Sequence, residues 1–182
     1  MDLLNTRKLT IGGILAALCI VMSLTPLGFV PVPTPAGAVT TMHIPVIIAG
    51  ILEGPIVGGV VGGIFGLTSF IRGGQFFGDP VIAILPRLLI GPGAYYFMQL
   101  TKKIFRSQNF SISIGAFIGT IINTVGVLIL ASIRGYIPVE GAYIILLTHG
   151  IPEIIIAIVV TVIIGRVIVN HIGGTSKKKI HS

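Results

Sequence analysis

From Phe110 to Ser132 the chain carries no ionisable side chain, and several other stretches are nearly as bare of charge. A run of this kind has few places to fold. About 20 apolar residues wound as an α-helix match the hydrocarbon thickness of a bilayer, and a helix satisfies its own backbone polar groups where water cannot. Six such stretches are read along the chain, at 9–27, 40–53, 55–72, 80–101, 110–132 and 142–169, the second short and the sixth long. With 53% hydrophobic and 9% charged residues in a length of 182, the apolar surface exceeds what a soluble core of that size can hide. The expected fold is an all-α membrane protein, a bundle of six transmembrane helices in a single integral domain over 1–182. Short basic tails are expected at 1–8 and 173–182.

Arg7-Lys8, an apolar run and Ala36-Gly-Ala38 imitate the three regions of a secretory signal peptide. Roughly a dozen residues rich in Pro and Gly separate the apolar run from Ala38, too far for cleavage, so the first segment is read as a retained helix. It holds Cys19, the single cysteine. No internal disulfide can form, and neither a redox pair nor a cysteine metal cluster is suggested; no cofactor is expected.

Short cytoplasmic loops collect Lys and Arg. With six spans, one side of the membrane holds Arg7, Lys8, Lys102, Lys103, Arg106, Lys177, Lys178 and Lys179, plus Arg166 near a helix end, whereas the other holds only Arg72 and Arg134. Both termini are therefore expected in the cytoplasm. This asymmetry, with attraction to anionic lipid, accounts for the net charge of +7. No nucleic-acid partner is called for.

Glycine is the main punctuation. Gly58, Gly62 and Gly66 recur every fourth residue with Gly59 and Gly63 beside them, and Gly12/Ala16 and Gly13/Ala17 repeat the pattern in the first span. Small residues at that spacing let backbones approach closely, within one bundle or against another membrane protein. Between the first two spans, Phe29-Val-Pro-Val-Pro-Thr-Pro-Ala-Gly-Ala-Val-Thr-Thr is held extended by its prolines. It suits a lid over an outward-facing cavity or a passive connector. On the same side, Arg72-Gly-Gly-Gln-Phe-Phe-Gly-Asp79 places two aromatics to close over a ligand or to anchor at the interface.

Arg87 is the residue that most needs a reason. A guanidinium at the bilayer centre costs roughly 2.5–3.5 kcal/mol on insertion scales, so it normally faces a partner, a cavity or a ligand. At about 1.5 Å per helical residue it lies on the order of 10 Å below the start of its span, and Asn123 and Glu153 lie at similar depths in theirs. His149 and Glu153 are four apart on one helix face, with Thr148 adjacent. Three helices thus bring a cation, an amide and a carboxylate into one layer that opens outward. The layer either binds a polar solute or holds an Arg87–Glu153 ion pair that fixes helix register. If Glu153 orients Arg87, remaining guanidinium donors are open to an anionic group. Asn123 suits hydroxyls or amides. His43 is expected as a polar contact at a helix start, with a lid residue as the alternative.

Several strings resemble a known family. His43-Ile-Pro-Val-Ile-Ile-Ala-Gly, Phe65-Gly-Leu-Thr-Ser69, Asp79-Pro-Val-Ile-Ala-Ile-Leu-Pro-Arg87 and Gly150-Ile-Pro-Glu153 look like those of the substrate-binding S components of energy-coupling factor (ECF) vitamin transporters. The resemblance runs over nearly the whole chain and is nearest to the pantothenate-type branch, which the Asn123-Thr124 pair also fits. It implies a subunit of the cell membrane that captures a vitamin from outside, with Arg87, Asn123, Glu153, His149, Thr148, His43 and Arg72 as candidate binding residues. It further implies docking on a scaffold T component through Gly12, Ala16, Gly13 and Ala17, with two ATPase subunits supplying energy. This chain itself contains no Gly-x-x-x-x-Gly-Lys-Ser/Thr loop to cradle phosphates. Pantothenate would set its carboxylate on Arg87; riboflavin or another vitamin is the alternative substrate.

Enzyme chemistry finds little support. Intramembrane metalloproteolysis needs a His-Glu-x-x-His spacing that His43 and His149 lack, and Ser69 and Ser132 sit near span ends without a serine-protease signature. A solitary proton-coupled carrier, with Glu153 titrating, is the stronger rival to the ATP-driven reading.

Overall fold

A computed structural model describes residues 5–31, 38–74 and 76–178. Helix α1 (Thr6–Leu24) starts at Asn5, whose side chain accepts the Lys8 amide at 3.0 Å, and stops just before Pro26. A single 3₁₀ turn then leads into an antiparallel pair, β1 (Phe29–Pro31) and β2 (Ala38–Thr40), with Phe29 opposite Thr40. The two ends of the proline-rich loop are therefore zipped together. Its middle, 32–37, lies outside the described residues, as does Gln75 in the other outward loop.

The hairpin takes Thr40, read as the first residue of the second span, and 41–43 form the turn into the helix. Helix α2 is only Ile44–Glu53. Ten residues reach about 15 Å, half the hydrocarbon thickness, and this helix does not face lipid: Val46, Ile47 and Ala49 are fully buried. It is an internal helix, set among α1, α3 and α4. Five other helices are long and apolar enough to cross a membrane. They are α1, α3 (Pro55–Arg72), α4 (Pro80–Phe105), α5 (Gln108–Ile133) and a last continuous rod. The rod comprises α6 (Val139–Ile145), a π-helical segment at Leu146–Gly150 and α7 (Ile151–Lys178). Its end runs into the stretch read as a C-terminal tail, of which 179–182 lie outside the described residues, as do 1–4 of the N-terminal tail.

The Glu53-Gly54-Pro55 corner turns α2 straight into α3. Gly54 sits at φ 99°, where an L side chain would be strained, and proline suits the first helical turn that follows. Asp79 caps α4, its carboxylate accepting the Val81 amide at 2.9 Å.

The glycines of α3 face inward. A Cβ on Gly62 would lie 2.0 Å from the Arg87 carbonyl oxygen, and one on Gly58 would lie 2.8 Å from Gly91 Cα. The third-span stripe is therefore internal packing between α3 and α4. On α1 the small residues divide. Gly12 and Ala16 are buried, a Cβ on Gly12 meeting Val57 Cγ1 at 2.9 Å, so these two are not open to a partner. Gly13 and Ala17 are exposed, with nothing within 4 Å of a Cβ built on Gly13. Around the bundle Ile14, Leu18, Val60, Ile71, Ile129 and Ile163 also point outward. An apolar belt of this kind fits a lipid-facing surface.

Candidate functional site

Local chemistry fixes Arg87 before any ligand is considered. Pro86 has no amide hydrogen, so the Ile82 carbonyl one turn earlier loses its helical donor. The Arg87 guanidinium fills that vacancy, Nη1 donating to the Ile82 oxygen at 2.8 Å. The Phe65 ring on α3 and the Phe77 ring before α4 lie 5.4 Å and 4.8 Å from the guanidinium carbon, within cation–π range. Arg87 is 4% exposed, and its Nε has no hydrogen-bond partner.

Glu153 is not the counter-ion that the sequence suggested. Arg87 and Glu153 come within neither hydrogen-bond nor ion-pair distance. Thr40 on β2 donates to Glu153 Oε1, and Thr124 on α5 donates to Oε2 at 2.6 Å. His43 Nδ1 lies 3.5 Å from Oε1. The His43 ring is fully buried at the start of α2, where it makes no cap; Nε2 meets Thr120 Oγ1 at 3.1 Å. Since the Thr120 hydroxyl donates to the Ala116 carbonyl, Nε2 is the donor to Thr120, and Nδ1 is left facing the carboxylate. His43 Nδ1 makes no hydrogen bond of its own there.

These groups surround a cavity of about 660 Å³. Arg87, Asn123, Glu153, His149 and Arg72 line it, so the layer inferred from depth is brought together. Asn123 Oδ1 and His149 Nδ1 are buried without a hydrogen-bond partner, as is Arg87 Nε. His149 sits on the π-helical segment, an irregularity frequent at functional sites. Arg72 ties the end of α3 to that of α1 by donating to the Ser23 carbonyl at 2.8 Å. Two proposed site residues stand off the wall. His43 lies behind Glu153, consistent with a helix-start role rather than a lid, and Thr148 donates to the Ile144 carbonyl at 2.8 Å.

The wall also contains residues that the sequence reading did not single out for the site: Thr40, Met42, Phe65, Thr124, Val127 and Leu128. Thr124 adjoins Asn123, and the doublet was a usable signal. Thr40 gave none, because its position depends on the hairpin. Phe76 and Phe77, packed with ring centroids 4.8 Å apart, both reach the cavity. Arg134, just past the end of α5, pairs with Asp79, the cap of α4, at 3.3 Å. Among the described residues no group of three or more His, Cys, Asp and Glu is placed to hold a metal ion.

Comparison with known proteins matches this architecture. A solved S component of a bacterial ECF transporter superposes with a TM-score of 0.62 at 20% identity, over 91% of this chain and 97% of that one. At that identity the likeness establishes the fold. No curated protein matches. The sequence model described as ECF transporter, substrate-specific component matches residues 7–165. The chain is a multi-pass membrane protein for transport rather than an enzyme, and it belongs to the family of ECF transporter substrate-specific components.

Proposed function

We propose that this chain captures an acidic vitamin, pantothenate first among them, from outside the cell membrane and delivers it inward with a T component and two ATPase subunits. The observation that carries the reading is the set of unanswered groups in one cavity: Arg87 Nε, Asn123 Oδ1 and His149 Nδ1. Buried polar groups without partners are costly, so their convergence favours a ligand that supplies them. A carboxylate answers Arg87, and the Glu153 oxygens already accept from Thr40 and Thr124. Hydroxyl and amide groups of pantothenate suit Asn123 and His149, and its dimethyl carbon suits Val127, Leu128 and Met42.

Calorimetric titration of the detergent-purified chain with pantothenate, riboflavin, biotin and thiamine tests this. Binding of pantothenate at one site per monomer is expected, weakened about 10- to 100-fold in Arg87→Ala, the value of a charge-assisted hydrogen bond. Normal affinity in that variant overturns the site; binding of a different vitamin overturns the substrate alone. A solitary proton-coupled carrier is the second reading, favoured by the buried His43–Glu153 pair. Uptake that persists without the ATPase partners and stops with an uncoupler would support it.

A further inference from the structure

A second cavity, of about 360 Å³, lies at the opposite, basic end of the bundle. Arg7 of α1, Gln99 and Lys102 of α4 and Gln108 of α5 line it, and each carries N–H donors. No carboxylate is on its wall. Arg7 is answered by Glu53, 3.3 Å away and nearly buried at the end of α2. Lys102 has no carboxylate within ion-pair distance among the described residues. The first turn of α5 opens beside it without an acidic residue or a side-chain cap, so no side-chain anion balances that end of the helix. Ile51, Leu52, Met98 and Ile112 add apolar side chains to the wall, and Ser111 and Gly165 complete it.

A wall that combines donors and cations with apolar side chains matches an amphiphile with a negative head. We infer that this cavity binds a phosphate group, held by Lys102 with Gln99 and Gln108, and that the apolar wall selects the phosphate of an anionic phospholipid over free phosphate. Basic pockets between transmembrane helices at the cytoplasmic side recognise lipid heads by this chemistry. The inference is independent of which vitamin the other cavity holds.

The test is native mass spectrometry of the full chain in detergent with dioleoyl-phosphatidylglycerol, the matching phosphatidylcholine, or inorganic phosphate. Arg7 is left intact, since its removal would strand Glu53. Retention of phosphatidylglycerol over phosphatidylcholine is expected, weakened about five-fold in Lys102→Gln and unaltered in Lys103→Gln, whose side chain is off the wall. Displacement of the lipid by inorganic phosphate would keep the phosphate site and reassign its source to solution. Equal retention of the two lipids, or equal weakening by both substitutions, would overturn the proposal, because either result means non-specific adsorption or a diffuse surface potential.

Discussion

Glu153 holds three pieces of chain together, and its chemistry argues for a structural duty at the cavity wall. Both oxygens accept from threonines on different elements, and His43 approaches from a third. Glu153→Gln keeps the shape but leaves one amide nitrogen where an acceptor is required, so either Thr40 or Thr124 loses its partner. A loss of about 1–3 kcal/mol of stability is expected, the cost of an unsatisfied buried group. A lowered thermal midpoint with the one-site stoichiometry retained checks it; an unchanged midpoint would mean that the threonines find other partners. Much of this layer was legible in the sequence, because depth along a helix follows from the rise per residue and places Arg87, Asn123 and Glu153 together. The partner of Arg87 was not legible. It depends on the carbonyl that Pro86 frees and on Phe65 and Phe77, whose approach is set by how α3 and the loop before α4 are rotated.

Helix α3 offers an internal control at the level of elements. On Gly62 an added Cβ would run into the Arg87 carbonyl at 2.0 Å, whereas on Gly59 the nearest atom, the Leu88 oxygen, is 3.6 Å away. Gly62→Ala must push α3 from α4 and is expected to cost about 1–3 kcal/mol or more; Gly59→Ala is expected to be tolerated. Monodisperse yield and thermal stability in detergent separate the two, and equal behaviour would refute the close approach. The four-residue spacing of these glycines was plain in the sequence, but the direction in which they face was not. Gly12 and Gly13 are neighbours about 100° apart around α1, and only packing on Val57 decides that the first turns inward and the second outward. Likewise the apolar stretch at 40–53 could not reveal that its first residue belongs to a strand, since pairing with Phe29 is a tertiary fact.

For the whole molecule, sidedness and assembly are the consequences to test. In a Cys19→Ala background, Tyr136→Cys is expected to react with a membrane-impermeant maleimide from outside intact cells and Lys103→Cys only after the cells are opened; the reverse pattern would invert the topology. The Gly13/Ala17 face is the part of the α1 stripe that stays exposed, and in the proposed assembly it is the part that would meet the T component. Gly13→Leu is expected to retain vitamin binding while reducing co-purification with that partner, and full co-purification would move the docking face elsewhere.

The proline before Arg87 has one more consequence. Replacing Pro86 with alanine would restore the amide that the Ile82 carbonyl lacks, and by local rules the helix would be improved. The restored amide would then compete with the guanidinium for that carbonyl and loosen its hold, so a vitamin arriving in the cavity would meet an arginine less firmly aimed. The better helix would be the poorer trap, and a screen for thermal stability alone would select against the transporter's purpose.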